Sequence, residues 1–270
     1  MYLSSMKKLL LYLALFYICA HTIAQKDQLT YNRFAGQKFF PSTLEYKASG
    51  WILSPGVSKL YFNNSSSITD NINTIDYRFT PNSKFGLYGE IGRYKIFKFG
   101  GFFKYLDYGL AYKQFSGSEK VDGSDGTEVQ HTFTDQHITG HFNLNNIIEL
   151  RNPFFIQNSF GFSLNYAFAN SRTVGLNIGE TFPDPGFAQL HYKLGLGIFA
   201  GKKLLVIPGV ELPLMSAYPF GPIPTLRYFS SNYYPVIFTL KFLFLRTGRD
   251  DCPPVFAPGL PDGFVPDGQN

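Results

Sequence analysis

Phe160-Gly-Phe-Ser-Leu-Asn-Tyr-Ala-Phe-Ala169 is the stretch whose reading decides the fold. Even positions from Phe160 to Phe168 are all large and apolar or aromatic; odd positions from Gly161 to Ala169 are all small or polar. Successive side chains on a strand point to opposite faces, so this segment has one greasy face and one small, polar face. The pattern recurs. It marks eight candidate strands, at 50–62, 75–92, 102–114, 132–146, 154–169, 187–200, 204–215 and 233–245. Long connections rich in Ser, Asn, Asp, Gly and Pro (63–74, 115–131, 170–186, 216–232) alternate with shorter ones (93–101, 147–153, 201–203).

An export signal precedes the strands. Lys7 and Lys8 lead into an apolar run from Leu9 to Ala20, the length of a signal-peptide core and too short to span a bilayer as a helix. Small residues at Thr22 and Ala24 predict cleavage before Gln25. Cys19 follows the bulky Ile18 where a lipoprotein site needs a small residue, and reads as incidental. Removing 1–24 leaves 22 Lys and Arg against 19 Asp and Glu, a net of +3 that gives no argument for nucleic acid. Aromatics make up 18% of the chain and charged residues 16%, the latter low beside the roughly 25% of soluble domains. Cys252 is then a single thiol, read as unpaired in a loose tail, and no Cys/His spacing suggests zinc.

Alternation, loop asymmetry and an even strand count agree on one architecture. The chain is expected to be all-β: a transmembrane antiparallel up-and-down β-barrel of eight strands in the outer membrane of a Gram-negative cell, with both termini periplasmic. Ten strands would result if 25–48 and Thr225–Ser230 also contributed. The expected layout is signal 1–24, N-terminal periplasmic segment 25–48, barrel 49–245 and a Pro/Gly-rich periplasmic tail 246–270.

The faces follow from the alternation. Leu106, Tyr108, Leu110 and Tyr112 face lipid, against Tyr105, Asp107, Gly109, Ala111 and Lys113 inside. Ile138, Phe142 and Leu144 oppose His137, Thr139, His141 and Asn143. Leu190, Tyr192, Leu194, Leu196 and Ile198 oppose Gln189, His191, Lys193, Gly195 and Gly197. Val236, Phe238, Leu240, Phe242 and Phe244 oppose Thr239 and Lys241. If Gly201-Lys202-Lys203 is a three-residue turn, Lys193 lies opposite Glu211 on the inner face, Gly195 opposite Gly209, and Leu194 opposite Val210 on the outer one. Pro55, Pro208, Pro213 and Pro235 fall inside these strands and predict bulges or strand ends, since proline cannot donate to a ladder.

Little here signals chemistry. His137 and His141 share a face but stand about 13 Å apart, four residues at ~3.3 Å each, too far to chelate one metal together. With Asp107, His191, Lys193, Glu211 and Lys241 they are expected to form a polar network filling the barrel. The 115–131 loop carries Glu119, Asp122, Asp125 and Glu128 without EF-hand spacing, and reads as a solvated loop. No phosphate loop, nucleophile elbow or zinc-protease motif is present. No catalytic residue, metal or cofactor is expected. Pro-Asp-Gly at 261–263 and 266–268 marks an extended tail, read as a loose end or as a handle for a periplasmic protein.

By signal, strand count and loop asymmetry, residues 50–245 resemble small outer-membrane barrels of the OmpA and OmpX kind. The resemblance implies a membrane-anchored structural, adhesive or protective protein with a plugged interior. Its expected surroundings are outer-membrane lipid and lipopolysaccharide, with an extracellular ligand at the loops. A narrow passive pore is the alternative. A lipid-modifying enzyme is a third; the deacylase type places His, Ser and Glu on the lipid-facing wall, whereas the strand histidines here point inward.

Overall fold

The computed structural model describes residues 47–62, 66–70, 75–97, 102–150, 154–173, 183–200, 203–218, 221–223 and 226–246. The leader, most of the 25–48 segment, both cysteines and the Pro-rich tail lie outside them. Eleven strands form: β1 (Ser49–Phe62), β2 (Ser66–Asp70), β3 (Ile75–Ile96), β4 (Tyr105–Gly123), β5 (Glu128–Glu149), β6 (Phe154–Thr173), β7 (Gly186–Phe199), β8 (Leu204–Tyr218), β9 (Gly221–Ile223), β10 (Leu226–Tyr228) and β11 (Ser231–Phe244). The long ones match the eight candidate segments one for one. Each pairs antiparallel with the next, and β11 pairs with both β8 and β1, so the sheet closes on itself. Closure leaves no edge through the body of the barrel, which a sheet in hydrocarbon requires. β2, β9 and β10 only extend β3, β8 and β11 at one end; among the described residues eight strands close the ring, Leu226–Tyr228 only lengthens β11's hairpin, and nearly all of 25–48 lies outside them. At the other end the Lys47 amide donates to the Arg246 carbonyl at 2.7 Å, bringing the two ends of the described chain together.

The wall inverts the usual order of a water-soluble protein. Leu87, Leu110 and Leu164 are about 60% exposed (62%, 60%, 58%), while Lys113 and Asp107 are 2% and 0% exposed. Soluble chains bury leucine and leave lysine and aspartate in water. The inward and outward faces expected for β4, β5, β7 and β11 are the ones observed, except that Val236, expected to face lipid, is buried beside Pro235 where the β8–β11 ladder ends.

One expectation is corrected. Residues 115–131 are not a loop: β4 and β5 continue through them as a paired hairpin, and only Ser124–Thr127 turns. At about 3.3 Å per residue the 19-residue β4 runs to ~60 Å, far beyond the ~10 residues a bilayer crossing takes. With β2, the start of β3 and the end of β6 it forms a blade rising above the barrel. Tyr77, Phe79 and Val121 pack on its inner face against Ile68 and Ile75. Its outer face is polar: Arg78 pairs with Asp122 across strands, and Lys120 bridges Asp122 (3.1 Å) and Glu128 (2.8 Å). A sheet in water needs no greasy outer face, so the alternation that reveals the barrel strands is lost there.

Three bulges mark where the wall gives way to the blade and mouth. Residues 85–87 of β3 face only Gln114 and Phe115 of β4, Phe168 is the extra residue of β6 against β5, and Leu214 that of β8 against β7. At the first, the Gln114 carbonyl accepts the Ser58 hydroxyl across β3. Gly86 lies between them, and a Cβ there would collide with both partners. The prolines interrupt ladders, as expected. Pro55 coincides with a gap in the β1–β11 ladder and Pro208 with one between β7 and β8. The β8–β11 ladder ends at Glu211 and Ile237, just before Pro213 and Pro235 would meet. Beyond that point β8 pairs with β9 and β11 with β10, so the seam forks.

Candidate functional site: the layered lumen

The inward side chains stack in three layers. At the termini end, Ile52, Tyr94, Ile96, Tyr105, Phe155 and Leu243 belong to an apolar floor. At the blade end, Leu60, Phe115, Phe133, Phe187 and Tyr233 belong to an aromatic roof. Charges fill the space between.

The middle layer starts from the β7–β8 register, where Lys193 lies opposite Glu211, Gly195 opposite Gly209 and Leu194 opposite Val210, as the three-residue turn predicts. Glu211 Oε2 takes Lys193 Nζ at 3.1 Å, and its Oε1 takes Lys113 Nζ at 2.7 Å from across the barrel. Lys193 also reaches Glu90 Oε2 at 3.2 Å, to which the Tyr88 hydroxyl donates at 2.5 Å. His141 Nε2 stands 3.2 Å from Glu90 Oε1 and 3.8 Å from Asp107 Oδ1. Asp107 accepts Lys241 Nζ and the amides of Asn143 and Asn145. Because Asn143 spends its NH₂ on Asp107, its Oδ1 is the acceptor for His191 Nε2 at 2.7 Å, and His191 carries its proton on Nε2. That bond passes over Gly161, which sits between Asn143 and His191 in the ladder; a Cβ there would collide with both.

Six residues expected in a polar network, Asp107, His141, His191, Lys193, Glu211 and Lys241, thus lie in one connected cluster. His137 stands apart in the roof, its ring 5.4 Å from Phe115 and 5.7 Å from Phe187, with no hydrogen bond at either nitrogen among the described residues. The sequence reading omitted Glu90, Lys113, Asn143 and Asn145 from the network. The alternation of Tyr88, Glu90 and Gly92 with Leu87 and Ile91 marks Glu90 as inward; its partner, half a barrel away, leaves no local mark.

Glu90, Asp107 and His141 offer ligand atoms within 4.8 Å of one another. The charge balance argues against a divalent cation there. The carboxylates of Glu90, Asp107 and Glu211 are matched by the ammonium groups of Lys113, Lys193 and Lys241, so a metal would add buried charge with nothing to offset it. The arrangement is chemically an internal salt lattice. A gap of about 10 Å³ beside Lys193, Gly195 and Lys241 has room for about one water.

The roof is completed by the β10–β11 hairpin, whose two-residue turn tips into the mouth. Tyr228 stacks on Phe133 (3.9 Å, 8°), and Arg172, paired to Asp135 at 2.7 Å, lies over its ring. Glu119 accepts the Ser230 amide at 3.2 Å and the Ser231 hydroxyl. Read from sequence as a solvated loop carboxylate, it is buried and latches the hairpin. Phe229 holds φ 52° at the turn, a conformation disfavoured for a bulky residue, with its ring packed edge-on to His131 at 5.0 Å.

No family model and no curated protein matches the chain. Among solved structures it is similar to the outer membrane protein OprG from Pseudomonas aeruginosa, at 12% identity and a TM-score of 0.42, over 75% of this chain and 98% of that one. It is also similar to the β domain of the Bordetella autotransporter BrkA, at 14% identity and a TM-score of 0.33, over 73% and 99%. By its own geometry the chain is a closed, eight-stranded antiparallel up-and-down β-barrel of the transmembrane type.

Proposed function

We propose that the protein is an integral outer-membrane barrel whose lumen is a structural plug and whose working surface is the blade outside the cell. The role is adhesive or partner-binding. The carrying observation is the filled interior: a charge-balanced layer between an apolar floor and an aromatic roof latched by Glu119. Eight strands leave an interior about wide enough for side chains alone. The leader expected from the sequence and the meeting of Lys47 with Arg246 at the short-turn side support periplasmic termini, with lipopolysaccharide around the blade-side rim. The strand histidines are inside, away from lipid, which argues against a lipid-modifying enzyme.

The test is electrical and topological together. In planar bilayers the purified protein should give no stable single-channel openings; steady openings would favour the narrow pore instead. In intact cells, added protease should cut at the Ser124–Thr127 turn and leave the tail whole. Cleavage of the tail alone would invert the orientation. Outer-membrane lipid profiles should be the same with and without the protein.

A further inference from the structure

We infer that the blade-side rim of the β1–β3 wall is a binding site for a phosphorylated glycolipid of the outer leaflet, held by Lys59 and Lys84. This rests on the orientation proposed above. The bulge at 85–87 is what builds the site. In a regular strand neighbouring residues point to opposite faces, but here Lys84 and Phe85 are both exposed; a bulge re-aims side chains in this way. Phe85 is the ladder partner of Lys59, whose ammonium lies 5.0 Å from the Phe85 ring centroid and 5.4 Å from that of Tyr61. Lys59 and the sequence neighbour of its ladder partner, Lys84, thus share the outer face at one height of the wall, beside the exposed rings of Tyr61 and Phe85.

Their height is that of a headgroup. Just below are the exposed Val57 and Leu87 of the apolar belt; just above, the exposed Asn82 and Thr80 of the polar blade. The blade's own Lys120 is occupied by Asp122 and Glu128. Lys59 and Lys84 make no ion pair among the described residues, and no carboxylate projects from the outer face beside them on β1, β3, β4 or β11. A cation at the edge of hydrocarbon without a protein counter-ion is matched by an anion of the membrane itself. Two long, flexible lysines on neighbouring strands at one height suit the phosphate of a glycolipid, with the sugar against Tyr61 and Phe85.

The experiment titrates full-length protein in detergent with bisphosphorylated lipid A, followed by native mass spectrometry. Three proteins are compared: wild type, Lys59→Gln/Lys84→Gln, and Arg93→Gln/Lys95→Gln, which removes the two exposed cations of β3 toward the opposite rim. The first pair of substitutions should weaken binding about 30-fold, from roughly one surface-charge contribution per lysine, and the second pair should not. Dephosphorylated lipid should bind all three alike. Equal affinity of all three proteins for lipid A would overturn the site. Loss only in Arg93→Gln/Lys95→Gln would overturn it too, and would show that the orientation itself is reversed. A wild-type protein that stays soluble and monomeric without detergent would instead remove the membrane reading on which the site depends.

Discussion

Replacing Glu211 with Gln should strand a buried lysine in the lumen, and adding Lys113→Met should undo much of the damage. Glu211 holds Lys113 at 2.7 Å and Lys193 at 3.1 Å, and both members of the first pair are 3% exposed. Lys193 keeps Glu90 at 3.2 Å when Glu211 is neutralised. Lys113 keeps no other ion pair among the described residues. Stranding one buried ion costs about 3–5 kcal/mol, and Gln can still accept one hydrogen bond, so ~3 kcal/mol is expected for Glu211→Gln. The double variant removes both ions and should recover ~2 kcal/mol of the loss, a coupling typical of residues in direct contact. Urea unfolding in lipid vesicles would read this through Trp51, the sole tryptophan, half exposed on the outer wall. The reasoning fails if Glu211→Gln costs under ~1 kcal/mol and Lys113→Met brings no rescue. Those are the values of solvated pairs, and they would mean a watered channel rather than a dry plug.

Other expectations follow from single sites. Leu110→Arg, on the exposed wall, should destabilise the inserted barrel by ~2–4 kcal/mol near the bilayer midplane, measured by the same unfolding; a neutral result would place that face in water. Gly161→Ala should cost ~1–3 kcal/mol by overpacking and should shift the His191 imidazole NMR signals, since its Cβ would intrude on the His191–Asn143 bond; unchanged signals would contradict the packing described. At the blade tip, Asp125 accepts the Thr127 hydroxyl at 2.7 Å and the Thr127 amide at 3.0 Å. These bonds hold its carboxyl below the usual range. A depressed carboxyl stabilises the turn fully above the ordinary value of ~3.9 and loses that contribution as pH falls through the lower one. Thr127 amide exchange should therefore accelerate only in strong acid, and Asp125→Ala should show the fast rate already at neutral pH; pH-independent protection in wild type would refute the turn geometry.

What could be read from the chain depended on where the strands meet lipid. Between Phe160 and Phe168 hydrocarbon demands a greasy residue at every second position, and the period is plain. Lys193 and Glu211 were legible as a pair because a three-residue turn sets the register of neighbouring strands. Past Phe115 the outer face of the blade is polar, Ser, Lys and Asp are tolerated, and a paired hairpin takes on the composition of a loop, so Glu119 reads as a loop residue though the structure buries it. Glu90 meeting His141, or Lys113 meeting Glu211, depends on closure and stagger of the whole ring, which no local pattern encodes.

The hairpin tip that roofs the lumen hangs between β8 and β11, and β11 is also the stave that meets β1. The cork is tethered to the last stave of the cask. Seating Tyr228 and Phe229 among their aromatic neighbours and joining the first stave to the last are therefore both tasks of one strand, and each helps to hold the other. The two prolines at the fork keep those staves from zipping past the point where the cork must pass.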